Sequence, residues 1–136
     1  MTDLYPAIAL GDVLDEANAH IIKCKCESAV TKGQLVIFNT HTAGELPSVS
    51  TAGAAATNCF GVAMKTGAAG DIIPVCVAGV VKVTASGAIT GGTCVVCGAN
   101  GTVVTIGANT YEKVVGRAIQ TFADTDTGLA FINCEW

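Results

Sequence analysis

The feature that most constrains this chain is an echo of itself. "ESAVTKGQLVIF", residues 27–38, lies over "SGAITGGTCVVC", residues 86–97, with Val30-Thr31-Lys32-Gly33 on Ile89-Thr90-Gly91-Gly92. Farther along, "CFGVAM" (59–64) matches "VVGRAI" (114–119), and "AAGDIIPVCV" is similar to "TDTGLAFINC". Self-similarity at that offset means two related units of about 55 to 60 residues, approximately 22–79 and 80–136. Units this short do not each bury a face alone, so the two are expected to close into one barrel or sandwich.

The text of each unit reads as strand. Short apolar runs are punctuated by glycine and threonine every ~8 to 12 residues, the spacing of a small all-β barrel or sandwich. "PVCVAGVVKV" alternates Val75, Val77, Val81 and Val83 on one face, with Pro74 near its start, where a missing N–H does least harm. "CGANGTVV" sets Asn100-Gly101 between apolar runs, the strongest short-range signal for a tight hairpin with positive φ at both turn residues. "LAFINCEW" places Ala130, Ile132, Cys134 and Trp136 opposite Leu129, Phe131, Asn133 and Glu135, so a last strand runs to the C-terminus. Residues 39–58, "NTHTAGELPSVSTAGAAATN", read as a hairpin excursion or long surface loop whose counterpart in the second unit is shorter. Helical patterning is confined to "LGDVLDEANAHI" (10–21), one or two amphipathic turns with Asp12 as cap. The domain reading is therefore an extended N-terminal arm, 1–20, and one β domain, 21–136.

Composition decides what such a module can do. The 136 residues make one domain's worth of chain, enough to bury roughly 68% of the unfolded surface. Only 13% are charged, about half the usual ~25%, and mean hydropathy is +0.55. So apolar a surface is expected to meet another protein chain. Net charge is −4 with seven scattered Lys and Arg. There is no basic stripe to displace counterions, which argues against nucleic acid as partner. No run reaches the ~18 to 20 apolar residues of a membrane helix, so no membrane partner is expected. The N-terminus lacks a basic n-region and carries Asp12, Asp15 and Glu16; it does not read as a signal peptide, and synthesis in a cytosol is expected.

Chemistry is harder to find. Cys94-x-x-Cys97 is half of a zinc site or a redox pair by spacing. A structural zinc site needs four ligands, and Cys24-x-Cys26 is the only other close pair. A redox pair works at a strand-to-helix junction, where the helix N-terminus lowers the thiol pKa; here the pair lies in strand text before a hairpin. The plainer reading is cysteine as a small buried hydrophobe. "VAMKTG" contains Ala63-Met64-Lys65, similar to the biotin-acceptor lysine of carboxyl-carrier domains, but Val62 and Thr66 depart from that motif. A cofactor- or metal-bearing β module, at Lys65 or at Cys94/Cys97, is thus the alternative function. His20 and His41 stand in unrelated contexts, and no phosphate loop, nucleophile elbow or His-Glu-x-x-His is present. No converging catalytic set can be nominated, so neither an enzyme nor a bound cofactor is expected.

Seven cysteines, Cys24, Cys26, Cys59, Cys76, Cys94, Cys97 and Cys134, are unusual for a chain made in a reducing compartment. The number is odd, so at least one is left for a free thiol or a bond to another chain. Cys24, Cys26 and Cys134, nearest the chain ends, are the candidates for intermolecular disulfides.

The order of segments carries a resemblance. "LGDVLD", "GVVKVTASGAITGGTCVV", "GANGTVV" and "YEKVVGRAIQ", with "FGVAMKTGAAGDIIPVCVAG" and "VVGRAIQTFADTDTGLAFI", resemble the capsid decoration (cement) proteins of tailed phages over residues 11–132. The departures are the cysteines and Gly92-Thr93, where that family often has Gly-Asp. The resemblance implies a small β-barrel or β-tulip module on the outer surface of the virion capsid, commonly trimeric. Its implied partners are the major capsid protein and its own copies, and its job is to clamp neighbouring capsid subunits without catalysis. Virion surfaces are oxidising after release, so a component made reduced can be used cross-linked. The arm is then the segment expected to lie on a neighbour or on the capsid, with Leu4, Tyr5, Ile8 and Leu10 as anchors.

Overall fold

Alternating apolar residues broken by turns leave the backbone one economical solution, a curled antiparallel sheet that pairs its own edges. In the computed structural model, which describes residues 9–14, 18–39 and 46–134, the chain takes it. Nine strands follow in order: β1 (His20–Cys26), β2 (Leu35–Asn39), β3 (Ser48–Thr51), β4 (Cys59–Ala63), β5 (Ile72–Thr84), β6 (Cys94–Cys97), β7 (Val103–Thr105), β8 (Val114–Ala118) and β9 (Thr127–Asn133). They form one sheet in the order β1-β3-β2-β4-β5-β9-β8-β6-β7, and a further β1–β5 pairing closes the first five strands into a barrel. The all-β expectation holds.

The expected barrel is present in the first five strands, and the remaining strands curl into a second ring that one isolated bridge joins. β5 is 13 residues long, about 43 Å at strand rise, and serves both. Its first half pairs β1 and β4; its second half pairs β9, and an isolated parallel bridge Ala85↔Val103 brings β7 back to its end. The rings repeat each other in register. Leu35↔Val62 and Val36↔Gly61 precede a bulge and Ile37↔Cys59; Cys94↔Arg117 and Val95↔Gly116 precede the same bulge and Val96↔Val114. At the bulge the backbones close in. A Cβ on Gly61 would strike the Cys76 carbonyl, and one on Gly116 the Phe131 carbonyl, which is why both units keep glycine there.

Inside each ring the side chains are repeat-mates. Cys24, Cys26, Val30, Val36, Val49, Ala63, Ile73 and Val75 form the first interior; Val83, Ala85, Ile89, Val95, Val103, Ala118 and Ala130 line the second. One position is exchanged. In the first ring Gly67, hydrogen-bonded to Val30, lies against Ile73; in the second Phe122, hydrogen-bonded to Ile89, lies against Gly128. A Cβ on Gly67 would come 2.8 Å from Ile73 Cγ2, and one on Gly128 2.8 Å from Phe122 Cγ. Each ring therefore fills the same space with one bulky residue, supplied from opposite partners.

One local expectation changes and one holds. Residues 10–14 are not helical: Val13 bridges Val81, Gly11 N–H donates to Lys82 O, and Leu14 N–H donates to Val80 O. The free edge of β5 offers the backbone more partners than an isolated turn does. Asp12 consequently pairs with Lys32 at 2.7 Å instead of capping a helix. At the hairpin, Asn100 and Gly101 do carry positive φ, 56° and 71°. Thr102 N–H closes the turn on Ala99 O, and Gly98 N–H donates to Thr102 O just outside it, before the ladder begins at Cys97↔Val103.

Candidate functional site

The strongest chemical signal in the sequence was thiol, and the fold disperses it. Cys24 and Cys26 point together into the first barrel, both buried. Their repeat-mates in the second ring are Val83 and Ala85. Burial first and the Cys26 charge second push the Cys24 thiol up to about 12; burial and then Asp71 raise Cys26. Cys94 and Cys97 part company: Cys97 is buried, while Cys94 reaches the surface beside Arg117, whose Nη2 donates to its Sγ at 3.6 Å. The pair is thus divided between core and surface. Among the described residues no three His, Cys, Asp or Glu side chains are grouped to hold a metal.

A different thiol group assembles, one that sequence spacing could not show. Cys59, Cys97 and Cys134 meet in the core between the two rings, with Cys134 Sγ 3.8 Å from Cys59 Sγ. The Cys134 thiol, then the Cys97 thiol, and then burial hold Cys59 well above the ordinary thiol range. The hydrogen bond from Cys59 draws Cys97 down against its burial. Cys76 borders the same core, and burial, then Cys134, push it up to about 11. Water-excluded thiols of this kind are packing groups. In the repeat no cysteine faces a cysteine: Cys59, Cys76, Cys94 and Cys97 match Val114, Phe131, Leu35 and Phe38 by register. The fold needs an apolar group at these positions and does not need sulfur.

Of the anchors expected in the N-terminal arm, Leu4, Tyr5 and Ile8 lie outside the described residues. Leu10 is half-buried over Gly33, where any Cβ would collide with its isobutyl group. Leu10 is thus fastened to the body of the module. Lys65 is exposed in the bend after β4.

What remains is surface, and it is apolar in places. Phe38, Ile72, Ile119 and Phe131 are 44%, 56%, 51% and 44% exposed. Phe38 meets Phe60 edge to face, with ring centroids 5.6 Å apart, and a hollow of about 260 Å³ lies between Leu14, Asn18, Gly79, Val80 and Phe131. Phe38 with Phe60 makes one apolar spot on the first ring, and Phe131 with Leu14 and Val80 makes another on the second. No helix among the described residues is long and apolar enough to cross a membrane.

Comparison with known proteins agrees with a binding module. No curated protein matches the chain. Among solved structures it is similar to the N base of the head fiber gp8.5 of bacteriophage phi29, with a TM-score of 0.67 and 20% identity over 86% of this chain and 96% of that one. At that identity the likeness speaks for the fold. The family model for phage cement protein matches residues 15–134, almost the whole length over which two rings, one shared strand and an apolar surface have been described. The chain belongs to the phage cement protein family, and is a capsid-associated structural protein of a bacteriophage.

Proposed function

We propose that the protein binds the outer surface of a phage capsid and stabilises it by bridging neighbouring subunits of the major capsid protein, as a homotrimer. The observation that carries this reading is the family match over 15–134. The fold supports it physically. A clamp has to transmit load without yielding, and two rings joined through one continuous 13-residue strand share a backbone and a common core. In this reading the contacts to capsid come from the arm residues Leu4, Tyr5 and Ile8, while Leu10 on Gly33 ties the arm to the module. Any disulfide to another chain runs through Cys94, the one cysteine that is not buried. Its thiol and a partner's thiol would lose two protons and two electrons to an oxidant such as dioxygen. The test is cosedimentation of the purified chain with expanded capsids that lack it, followed by heating. Bound protein that raises the temperature of genome release supports the proposal; absence of binding refutes it. Deleting residues 1–10 is expected to abolish binding while the module still folds, and unchanged binding removes the arm from the proposal.

A further inference from the structure

Repetition of a unit repeats its faces, and one face occurs here both covered and bare. In the first ring Leu35, Ala52, Cys59, Val62, Met64 and Cys76 all belong to, or pack on, the core that joins the two rings. Leu35, Val62 and Cys76 form a continuous cross-strand row that is buried completely. The second ring presents the same row in the same register, Cys94, Arg117 and Phe131. Around it stand Ile106, Val114 and Ile119, the mates of Ala52, Cys59 and Met64. This second face is open. Phe131 is 44% and Ile119 51% exposed, Arg117 is exposed, and Cys94, Ile106 and Val114 are half-buried. The hollow beside Val80 and Phe131 continues it.

The group that covers the first face also has an uncovered twin. Cys97 and Val115 of the second ring enter the shared core, where Cys97 O accepts from Ala55 N–H. Their mates in the first ring are Phe38, exposed at its surface, and Phe60, half-buried against the core, which meet edge to face. A chain built this way ends in two unlike faces whose repeat-mates, Leu35, Val62 and Cys76 on one side and Cys97 and Val115 on the other, share one core within the molecule.

We infer that the Cys94–Arg117–Phe131 face is the docking surface for a second copy of this chain, and that the copy seats its Phe38–Phe60 end there. The contact is heterologous, so repeating it makes a ring or an open string, never a symmetric pair. It names the surfaces through which the proposed homotrimer closes, but it rests on the internal repeat and not on capsid binding.

The experiment is native mass spectrometry and sedimentation velocity of the full chain across micromolar concentrations, with reductant present so that Cys94 disulfides do not contribute. Wild-type protein is expected to associate beyond a monomer. Phe131→Glu and Phe38→Glu each spoil one of the two faces, and each alone is expected to weaken association at least ~10-fold. Mixed, they are expected to form a heterodimer and nothing larger, because each variant retains the face its partner lacks. A monomeric wild type, a variant that associates as wild type does, or a mixture that stays monomeric overturns the inference. Melting curves show whether each variant folds; Ile119→Glu and Phe38→Gln are the second choices on the two faces. Failure here leaves capsid cosedimentation unaffected, so the two proposals fail separately.

Discussion

The exchanged pair inside the rings makes a prediction with a defined magnitude. Phe122 is 4% exposed and occupies the space that Ile73 fills in the first ring, while Gly128 gives it room. Phe122→Gly removes a buried aromatic side chain and leaves a cavity; Phe→Ala changes of this kind cost about 3–5 kcal/mol, and glycine in extended backbone adds roughly 0.5–1 more. Gly128→Ile alone drives a side chain into a ring whose Cγ lies 2.8 Å from the new Cβ, an overpacking cost of about 1–3 kcal/mol. The double variant, Phe122→Gly with Gly128→Ile, rebuilds the first ring's arrangement of Gly67 and Ile73. It should lose less than the sum of the singles, by about 2–3 kcal/mol, the upper range for residues in contact. Urea unfolding followed by circular dichroism measures all four stabilities on one m-value. Additive losses, with an interaction energy near zero, would refute the idea that both rings pack around one exchangeable bulk and that the repeat extends to core volume.

Other expectations follow from the same contacts. Gly116→Ala and Gly61→Ala each place a Cβ on a carbonyl oxygen of the neighbouring strand and should cost about 1–3 kcal/mol or more in thermal melts, whereas Gly53→Ala, with open space at its Cβ, should not. Breaking the exposed Asp12–Lys32 pair with Asp12→Asn should cost no more than about 1 kcal/mol in the same assay. A maleimide should label Cys94 within minutes in the native protein and all seven cysteines only after unfolding, read by intact mass; rapid native labelling of Cys24 or Cys59 would contradict their burial. Raising pH should destabilise the fold. Cys24 and Cys76 hold their protons to about 12 and about 11 when folded, against roughly 8.5 for an unfolded thiol. Stability is therefore complete below about pH 8.5 and is lost as pH climbs toward those folded values. Urea midpoints that do not move between pH 8 and 11 would show that these thiols are not held protonated by the fold.

Much of the fold was legible because it depends on local rules. Alternation told which residues of "PVCVAGVVKV" and "LAFINC" turn inward, and Val75, Val81, Ala130 and Ile132 are all buried completely. Asn100-Gly101 marked a turn because few residues accept positive φ there. The helical reading misled over residues 10–14 because local periodicity carries no information about an unpaired strand edge nearby.

The site was less legible, for a reason the cysteines illustrate. Leu35 and Cys94 occupy the same strand position in the same register, yet one is sealed in the core and the other meets solvent. By itself the sequence determined two β-units, the Asn100-Gly101 turn and the inward or outward sense of alternating strand residues, since these follow from steric limits and the two-residue period of a strand. Only the tertiary structure decided which outward face becomes interior. That choice is made where the rings pack on each other along β5, between residues far apart in the chain. It buries Cys59, Cys97 and Cys134 together and leaves Phe131 and Phe38 at the surface.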